Sequence, residues 1–346
     1  MKIHEFYIKR CIQLAKNGLG TTYPNPLVGS VIVYNNKIIG EGWHRKSGEP
    51  HAEVNAINSV KDKSLLSKST IYVSLEPCSH FGKTAPCSDL IIKHKIPNVV
   101  IGTIDPNDKV AGTGIKRLNE NGTDVTVGIL EKDCNQLNKR FFTFHQKKRP
   151  YIILKWAESQ DGFIAPLNKD RQEPVWISNE YSRQLVHKWR SEEQAILVGT
   201  KTVLDDNPKL DVRDWSGANP IRIILDRTGK ITKEYFVKDE KTKTIIITER
   251  EKSISSENCI YENAIFDSEL TKKIAHISYK YGIQSILIEG GTLTLQSFID
   301  DNFWDEARIF IGNLHLKGGI KAPILNENFQ LKKIKEDQLK LFFNHD

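Results

Sequence analysis

Several protein classes are excluded by what this chain lacks. No apolar run approaches the roughly 20 residues that a membrane-spanning helix needs. The opening stretch MKIHEFYIKRCIQLAKNG is interrupted by charges and reads as an amphipathic helix, not a secretory leader. Five cysteines, odd in number and unevenly spaced, do not make a disulfide framework and fit a reduced cytoplasm. Internal repeats and low-complexity tracts are missing. So is a G-x-G-x-x-G turn after a first strand, which leaves no indication of a Rossmann-type site. The net charge of +7 favours anionic partners. Its lysines and arginines are nevertheless scattered over surfaces such as KDKSLLSK, without the concentrated basic and aromatic face that a nucleic-acid binder shows. A phosphorylated small molecule is the expected partner; nucleic acid and membrane are not.

What is present suffices for two domains. The 346 residues are 39% hydrophobic and 27% charged, in the range of globular proteins with real cores. After the first helix, TTYPNPLVG is a turn-rich loop, and SVIVYNNKIIGEGW predicts a hairpin around Asn35-Asn36. HAEVNAINSV then reads as a helix, TIYVSLE as a strand, PCSHFGKTAPC as a loop, SDLIIKHKI as a helix and NVVIGTID as a strand. GIKRLNENG is a helix closing on Gly122, followed by the strand TDVTVGIL. The basic run NKRFFTFHQKKRP, ending in proline, predicts a linker or boundary near residue 148, hence domains 1–147 and 148–346. Beyond it, YIILKWAES, AILVG, PIRIILD, KTIIIT, SILIEGG and EARIFIG read as strands, with helices such as SNEYSRQLVHKWR between them. Two unlike α/β domains result.

In the first half, His51, Cys78 and Cys87 form a ligand set. Catalytic zinc takes three protein ligands and leaves a fourth position open, and a histidine with two thiolates meets that demand. Each cysteine follows a proline, and a thiolate is favoured at a helix N-terminus. Glu53 is the proton carrier that serves a metal-activated water and a leaving amine. With Pro50 suited to a helix start, His51 and Glu53 are expected in the first turn. His-x-Glu followed by Pro-Cys is the mark of zinc nucleobase deaminases. Taken singly, His51 reads as a helix cap and the cysteines as small buried hydrophobes; together and in this order they do not. Cys11, Cys134 and Cys259 keep the structural reading.

Eight residues, SHFGKTAP, separate Cys78 from Cys87, where simpler deaminases have two. With TTYPNPLVG, GEPHAEVNAI, LEPCSHFGKTAPC and DPNDKVAGTGIKRL, this half resembles the deaminase half of the bifunctional riboflavin biosynthesis deaminase/reductase family. The resemblance covers nearly the whole chain. It implies a cytidine-deaminase-like α/β/α domain followed by a dihydrofolate-reductase-like α/β domain. The implied reactions are zinc-dependent deamination of a 2,5-diamino-6-(phosphoribosylamino)pyrimidinone, then NADPH-dependent reduction of its ribosyl group to ribityl, in a homo-oligomer (dimer or tetramer). Asn25 is implied at the pyrimidine site, with His44, His80, Lys83, Asp105 and Asn107 as weaker candidates for the ring and phosphate. Ala85 and Asp108 stand where the family usually has prolines.

Physical reasoning on the second half reaches only a strand, the turn Glu289-Gly290-Gly291-Thr292 and a helix, a plausible phosphate site but more often a plain connection. ILKWAESQDGFIA, WIS, AILVGTKTVLDDNPKLDVR, PIRIILD and ILIEGGTLTLQSFI resemble the reductase half. By that resemblance Ala157, Trp176, Thr202, Asp206, Glu289, Gly290, Gly291, Thr292, Leu293, Thr294 and Leu295 face NADPH. Lys155, Pro174, Arg190, Leu210, Arg213 and again Glu289 face the substrate, the two arginines suited to a phosphate. Lys155 and Asp206 are expected near the carbon that accepts hydride. Taken singly, Trp176 reads as core, Arg190 as solvent-facing and Asp206 as a turn cap. Gln160 replaces a usual leucine, Pro174 a usual serine, and GNLHLKGG a usual P-K-L-L-G-G. A lost serine hydroxyl costs roughly 0.5–1.5 kcal/mol of hydrogen bonding.

A zinc deaminase acting on another base, RNA included, would not explain the long cysteine loop or the second half. A zinc-stabilised binding protein would ordinarily present four protein ligands and would have no use for Glu53.

Overall fold

The structure is a computed structural model that describes residues 2–79, 85–107, 111–169, 171–251 and 254–344. It divides into two compact units, Met1–Lys148 and Arg149–Asp346.

The first unit runs α1 (Lys2–Ala15), β1 (Gly29–Tyr34), β2 (Lys37–Trp43), α2 (Ala52–Ser59), β3 (Thr70–Leu75), α3 (Cys87–Lys93), β4 (Asn98–Thr103), α4 (Thr113–Glu120), β5 (Asp124–Val127), α5 (Glu131–Leu137) and α6 (Lys139–Lys147). The sheet order is β2-β1-β3-β4-β5, antiparallel on both sides of β1 and parallel from β3 to β5. Asn35 and Asn36 take φ of 47° and 59°, the left-handed pair that a two-residue hairpin turn requires. Alternation in the strands builds a layer on each face. Val31, Val33, Tyr72 and Val100 pack with Tyr7, Ile8 and Cys11 of α1. Ile32, Ile71, Val73, Val99 and Ile101 pack with Ala56 and Ile57 of α2, Ile91 of α3 and Leu118 of α4. Gly42 explains how close α2 comes to the sheet: a Cβ there would lie 2.3 Å from the Ala56 nitrogen.

Two expectations change here. The run around residues 139–147 is not a linker but the helix α6, C-capped by Lys148 with φ of 53°, and the division between the two units follows directly after that cap. Its basic residues concealed a helical spacing that buries Phe141 and Arg140. Pro50 also lies outside α2: His51 is the N-cap, with extended backbone, and its carbonyl accepts the Asn55 N–H at 3.0 Å.

The second unit runs β6 (Tyr151–Glu158), β7 (Phe163–Ala165), α7 (Glu180–Glu192), β8 (Ala195–Gly199), α8 (Thr200–Asp206), β9 (Ile221–Leu225), β10 (Thr244–Thr248), β11 (Cys259–Asn263), α9 (Leu270–Lys280), β12 (Ser285–Ile288), α10 (Thr292–Asp300), β13 (Glu306–Ile311), β14 (Ile320–Lys321), β15 (Phe329–Ile334) and β16 (Asp337–Phe343). Nine strands form one sheet, β11-β10-β9-β8-β12-β6-β13-β16-β15. It is parallel from β11 to β13 and closes with the antiparallel pairs of β16. β8, β10 and β12 are buried at every residue, as parallel strands covered on both faces must be. In such a sheet ligands bind beyond the carboxyl ends of the strands. Gly199 ends β8, Glu289 directly follows β12, and Lys155 of β6 lies one residue past the Ile288–Leu154 pair, all toward that rim. Among the described residues no helix is long and apolar enough to cross a membrane.

Candidate active sites

In the first unit, β3, α2 and α3 deliver their ends to one place. His51 caps α2, Cys78 lies three residues past β3, and Cys87 opens α3. His51 Nδ1 lies 3.6 Å from Cys78 Sγ and 3.4 Å from Cys87 Sγ. The Cys87 N–H donates to Cys78 Sγ at 3.3 Å. Hydrogen bonding from Cys87 and His51 holds the Cys78 thiol well below its usual range, whereas its bond to Cys78 and its burial push Cys87 up. Glu53, 3% exposed in the first turn of α2, is pushed by burial up to about 7.

Asn25 reaches the same neighbourhood through His44. Its side-chain amide lies 3.0 Å from His44 Nε2, while His44 Nδ1 lies 3.2 Å from the Pro50 carbonyl. The His44 ring stands edge-on to His51 at 5.3 Å, and burial lowers its pKa, so it is the neutral imidazole that occupies this place. Asp105 is 8% exposed and accepts the Asn107 N–H at 2.8 Å. His80 and Lys83 lie outside the described residues.

In the second unit, Glu289 is the centre. Arg190 donates to both of its carboxylate oxygens, at 2.9 and 2.7 Å, and Lys155 Nζ lies 3.8 Å away. Burial alone would raise the Glu289 pKa, but Arg190 and Lys155 outweigh it and hold it at about 2. Burial lowers the Lys155 pKa against the pull of Glu289. Arg190 also donates to the Asp211 carbonyl at 3.1 Å, and Arg213 bonds the Asp211 carboxylate at 2.8 Å, so both arginines meet on one loop. Leu210, buried with φ of 53°, sets that loop's turn.

Beside this cluster the Gly290-Gly291 turn comes tight against β8 and α8. A Cβ on Gly290 would lie 2.8 Å from Val198 Cβ and 2.9 Å from Thr202 Oγ1, and Gly291 has φ of 71°. The hydroxyls of Thr202 and Thr294 lie closest to Gly291, and Thr292 bonds the Lys321 carbonyl at 2.8 Å. Leu293 is exposed. Leu295 is in the core at 1% exposure and its N–H bonds Gly291, so it supports this turn and does not line it. Ala157 is half-buried on β6 and Pro174 is exposed. Trp176 is not core: it is 53% exposed with Arg183 over its face at 4.8 Å. Arg190 does not face solvent, and Asp206 ends α8 in contact with Lys169.

Two family models match the chain: the cytidine and deoxycytidylate deaminase zinc-binding region over residues 1–103, and the RibD C-terminal domain over residues 150–344. Riboflavin biosynthesis protein RibD of Aquifex aeolicus is 38% identical over 98% of this chain and 96% of its own. The Escherichia coli protein of that name is 35% identical over 89% and 87%. A solved diaminohydroxyphosphoribosylaminopyrimidine deaminase/5-amino-6-(5-phosphoribosylamino)uracil reductase from Thermotoga maritima superposes with a TM-score of 0.88, at 36% identity and 99% coverage of both chains. The chain belongs to the RibD family.

As a RibD-family chain it carries a zinc-binding deaminase region and a reductase domain, and the donor geometry can be tested against the metal. Tetrahedral zinc with Zn–N of about 2.05 Å and Zn–S of about 2.3 Å separates nitrogen and sulfur by about 3.6 Å. The 3.6 and 3.4 Å separations of His51 Nδ1 from the two thiols match, and all three donor atoms lie within 4.8 Å of one another. For a dinucleotide, the close Gly290-Gly291 approach and its flanking threonines fit a phosphate group at the start of α10.

Three residues were not singled out from the sequence. Glu76, 4% exposed, accepts backbone N–H groups from Asp105, Gly112, Gly114 and Ile115. Asn138 bonds both the N–H and the carbonyl of Leu27, each at 2.8 Å, steadying the loop that carries Asn25. His187, 3% exposed, lies 3.1 Å from the Asp211 carbonyl and 3.3 Å from the Asp214 carboxylate. None of the three carried a sequence signal that separates it from its neighbours: Glu76 follows a strand, Asn138 is the junction between α5 and α6, and His187 lies in the ordinary-looking helix α7.

Proposed function

We propose that the chain deaminates 2,5-diamino-6-(5-phosphoribosylamino)pyrimidin-4(3H)-one in its first unit and reduces the ribosyl group of the product with NADPH in its second. The observation that carries the first reaction is the three-donor set with a buried carboxylate beside it. His51, Cys78 and Cys87 hold zinc, which supplies Lewis-acid activation of water when bound. Glu53 takes the proton from the attacking water and passes it to the departing amine, the task for which a carboxylate near neutrality is matched. Asn25 and neutral His44, fixed by their mutual bond, orient the pyrimidine.

For the second reaction, Thr202, the Gly290-Gly291 turn and Thr294 hold the cofactor's phosphates, and NADPH supplies the hydride. Arg190 and Arg213, joined on Asp211, hold the substrate phosphate. Glu289 keeps Arg190 and Lys155 in place, so a net positive charge faces the anionic substrate. The setting is cytoplasmic, where thiolates stay reduced, and the assembly is a homo-oligomer.

Separate variants test the division of labour. Glu53→Gln should slow ammonia release by about 10²–10⁴-fold while the chain still oxidises NADPH on substrate deaminated beforehand. Loss of both activities together would contradict two independent sites.

A further inference from the structure

Glu76 holds more of the first unit together than any resemblance assigns to it. It directly follows β3 and lies two residues before Cys78. Its N–H donates to the Thr103 carbonyl at 3.0 Å, which ties the end of β3 to the end of β4. Its carboxylate, in a residue 4% exposed, accepts four backbone N–H groups. Oε2 takes Gly112 at 3.0 Å and Asp105 at 3.4 Å; Oε1 takes Gly114 at 2.9 Å and Ile115 at 3.3 Å. Three of these donors belong to the N-cap and first turn of α4, which have no partners within that helix.

The clamped turn lies directly on the segment that carries Cys78. A Cβ on Gly114 would fall 2.1 Å from the Pro77 carbonyl oxygen. Thr113 Oγ1 and Ser79 Oγ are 2.5 Å apart. One carboxylate thus sets both the Asp105–Asn107 turn and the start of α4 against the backbone on either side of Cys78. A glutamine at this position could not do the same. It has one acceptor oxygen, and its amide N–H groups would face backbone N–H groups on the other side.

We propose that Glu76 is a positioning residue of the deaminase site: it fixes the Asp105–Asn107 and Gly112–Ile115 turns as a rigid wall beside Cys78, against which substrate is held. It touches neither metal nor substrate. The proposal rests on the deaminase reading above.

The test uses the full-length chain with Glu76→Gln and, separately, Gly114→Ala, which pushes the turn off Pro77 while leaving the carboxylate intact. Both should raise the deaminase KM at least tenfold with kcat changed less than threefold. The thiolate-to-cobalt absorption of the cobalt-loaded protein should persist at unchanged stoichiometry, and NADPH oxidation on substrate deaminated beforehand should be unaltered. An active wild type whose KM moves less than twofold in both variants overturns the proposal. So does a fall in kcat at constant KM, or loss of the cobalt absorption, either of which would assign Glu76 to the metal centre. If Glu76→Gln does not fold, Gly114→Ala decides on the same criteria. A wild type that binds cobalt but releases no ammonia overturns the deaminase reading itself, a result distinct from these.

Discussion

Glu289→Gln should be among the most destabilising single changes in the second unit. The carboxylate is 7% exposed, doubly bonded to Arg190 and 3.8 Å from Lys155. The two cations hold its pKa at about 2 against an ordinary 4.5. At about 1.4 kcal/mol per pH unit, this is linked to about 3 kcal/mol of stability at neutral pH. Removing one partner of a buried ion pair costs about 3–5 kcal/mol, in the same range, because the remaining cations stay buried. For a unit of about 200 residues, 3 kcal/mol corresponds to a Tm lower by roughly 6–12 °C. Five of the six tryptophans, at positions 156, 176, 189, 215 and 304, lie in this unit, so tryptophan fluorescence of the whole chain reports its unfolding. The pH dependence follows from the sign: the folded pKa is depressed, so the contribution is complete above pH 4.5 and is lost as pH falls toward 2. The gap between wild type and variant should be constant from pH 7 to pH 5 and narrow below it. A gap under about 1 kcal/mol at pH 7 would refute the reasoning.

Cys78→Ser should lower zinc stoichiometry and abolish ammonia release, with NADPH oxidation on deaminated substrate retained; elemental analysis and the two assays check it. Glu53→Gln should keep its zinc and lose about 10²–10⁴-fold in deaminase kcat, the usual worth of a positioned proton carrier, read by steady-state kinetics. Asn138→Leu leaves the Leu27 N–H and carbonyl unpaired in a buried place. It should cost about 1–3 kcal/mol in denaturant unfolding and raise the deaminase KM through the Asn25 loop.

The layered cores were legible in the sequence because strand alternation and helical spacing are local. Ile32 and Val33 point to opposite faces, as their adjacency requires. The final hairpin was not read: in FQLKKI only Phe329 and Leu331 alternate before two lysines interrupt the pattern, and β15 is exposed along most of its length. Helix α6 was hidden because charge dominated a run whose burial depends on Phe141 and Arg140. Of the first site, the His51, Cys78 and Cys87 set could be read because residue type and spacing carry the chemistry. Glu76 could not be assigned, since its partners lie 29 to 39 residues away and are all backbone. Arg190 and Glu289 were named through the resemblance, but their pairing was not readable: they lie 99 residues apart and the sheet order brings them together.

One time course tests the two-reaction account most directly. The zinc-loaded chain is given the diaminopyrimidinone ribotide, first without and then with NADPH, while ammonia and absorbance at the reduced-nicotinamide band are followed together. One ammonia per substrate should appear before NADPH is added, and NADPH should then be consumed in equal amount. Consumption of NADPH without prior ammonia release, or no ammonia at all from zinc-loaded protein, would contradict the account.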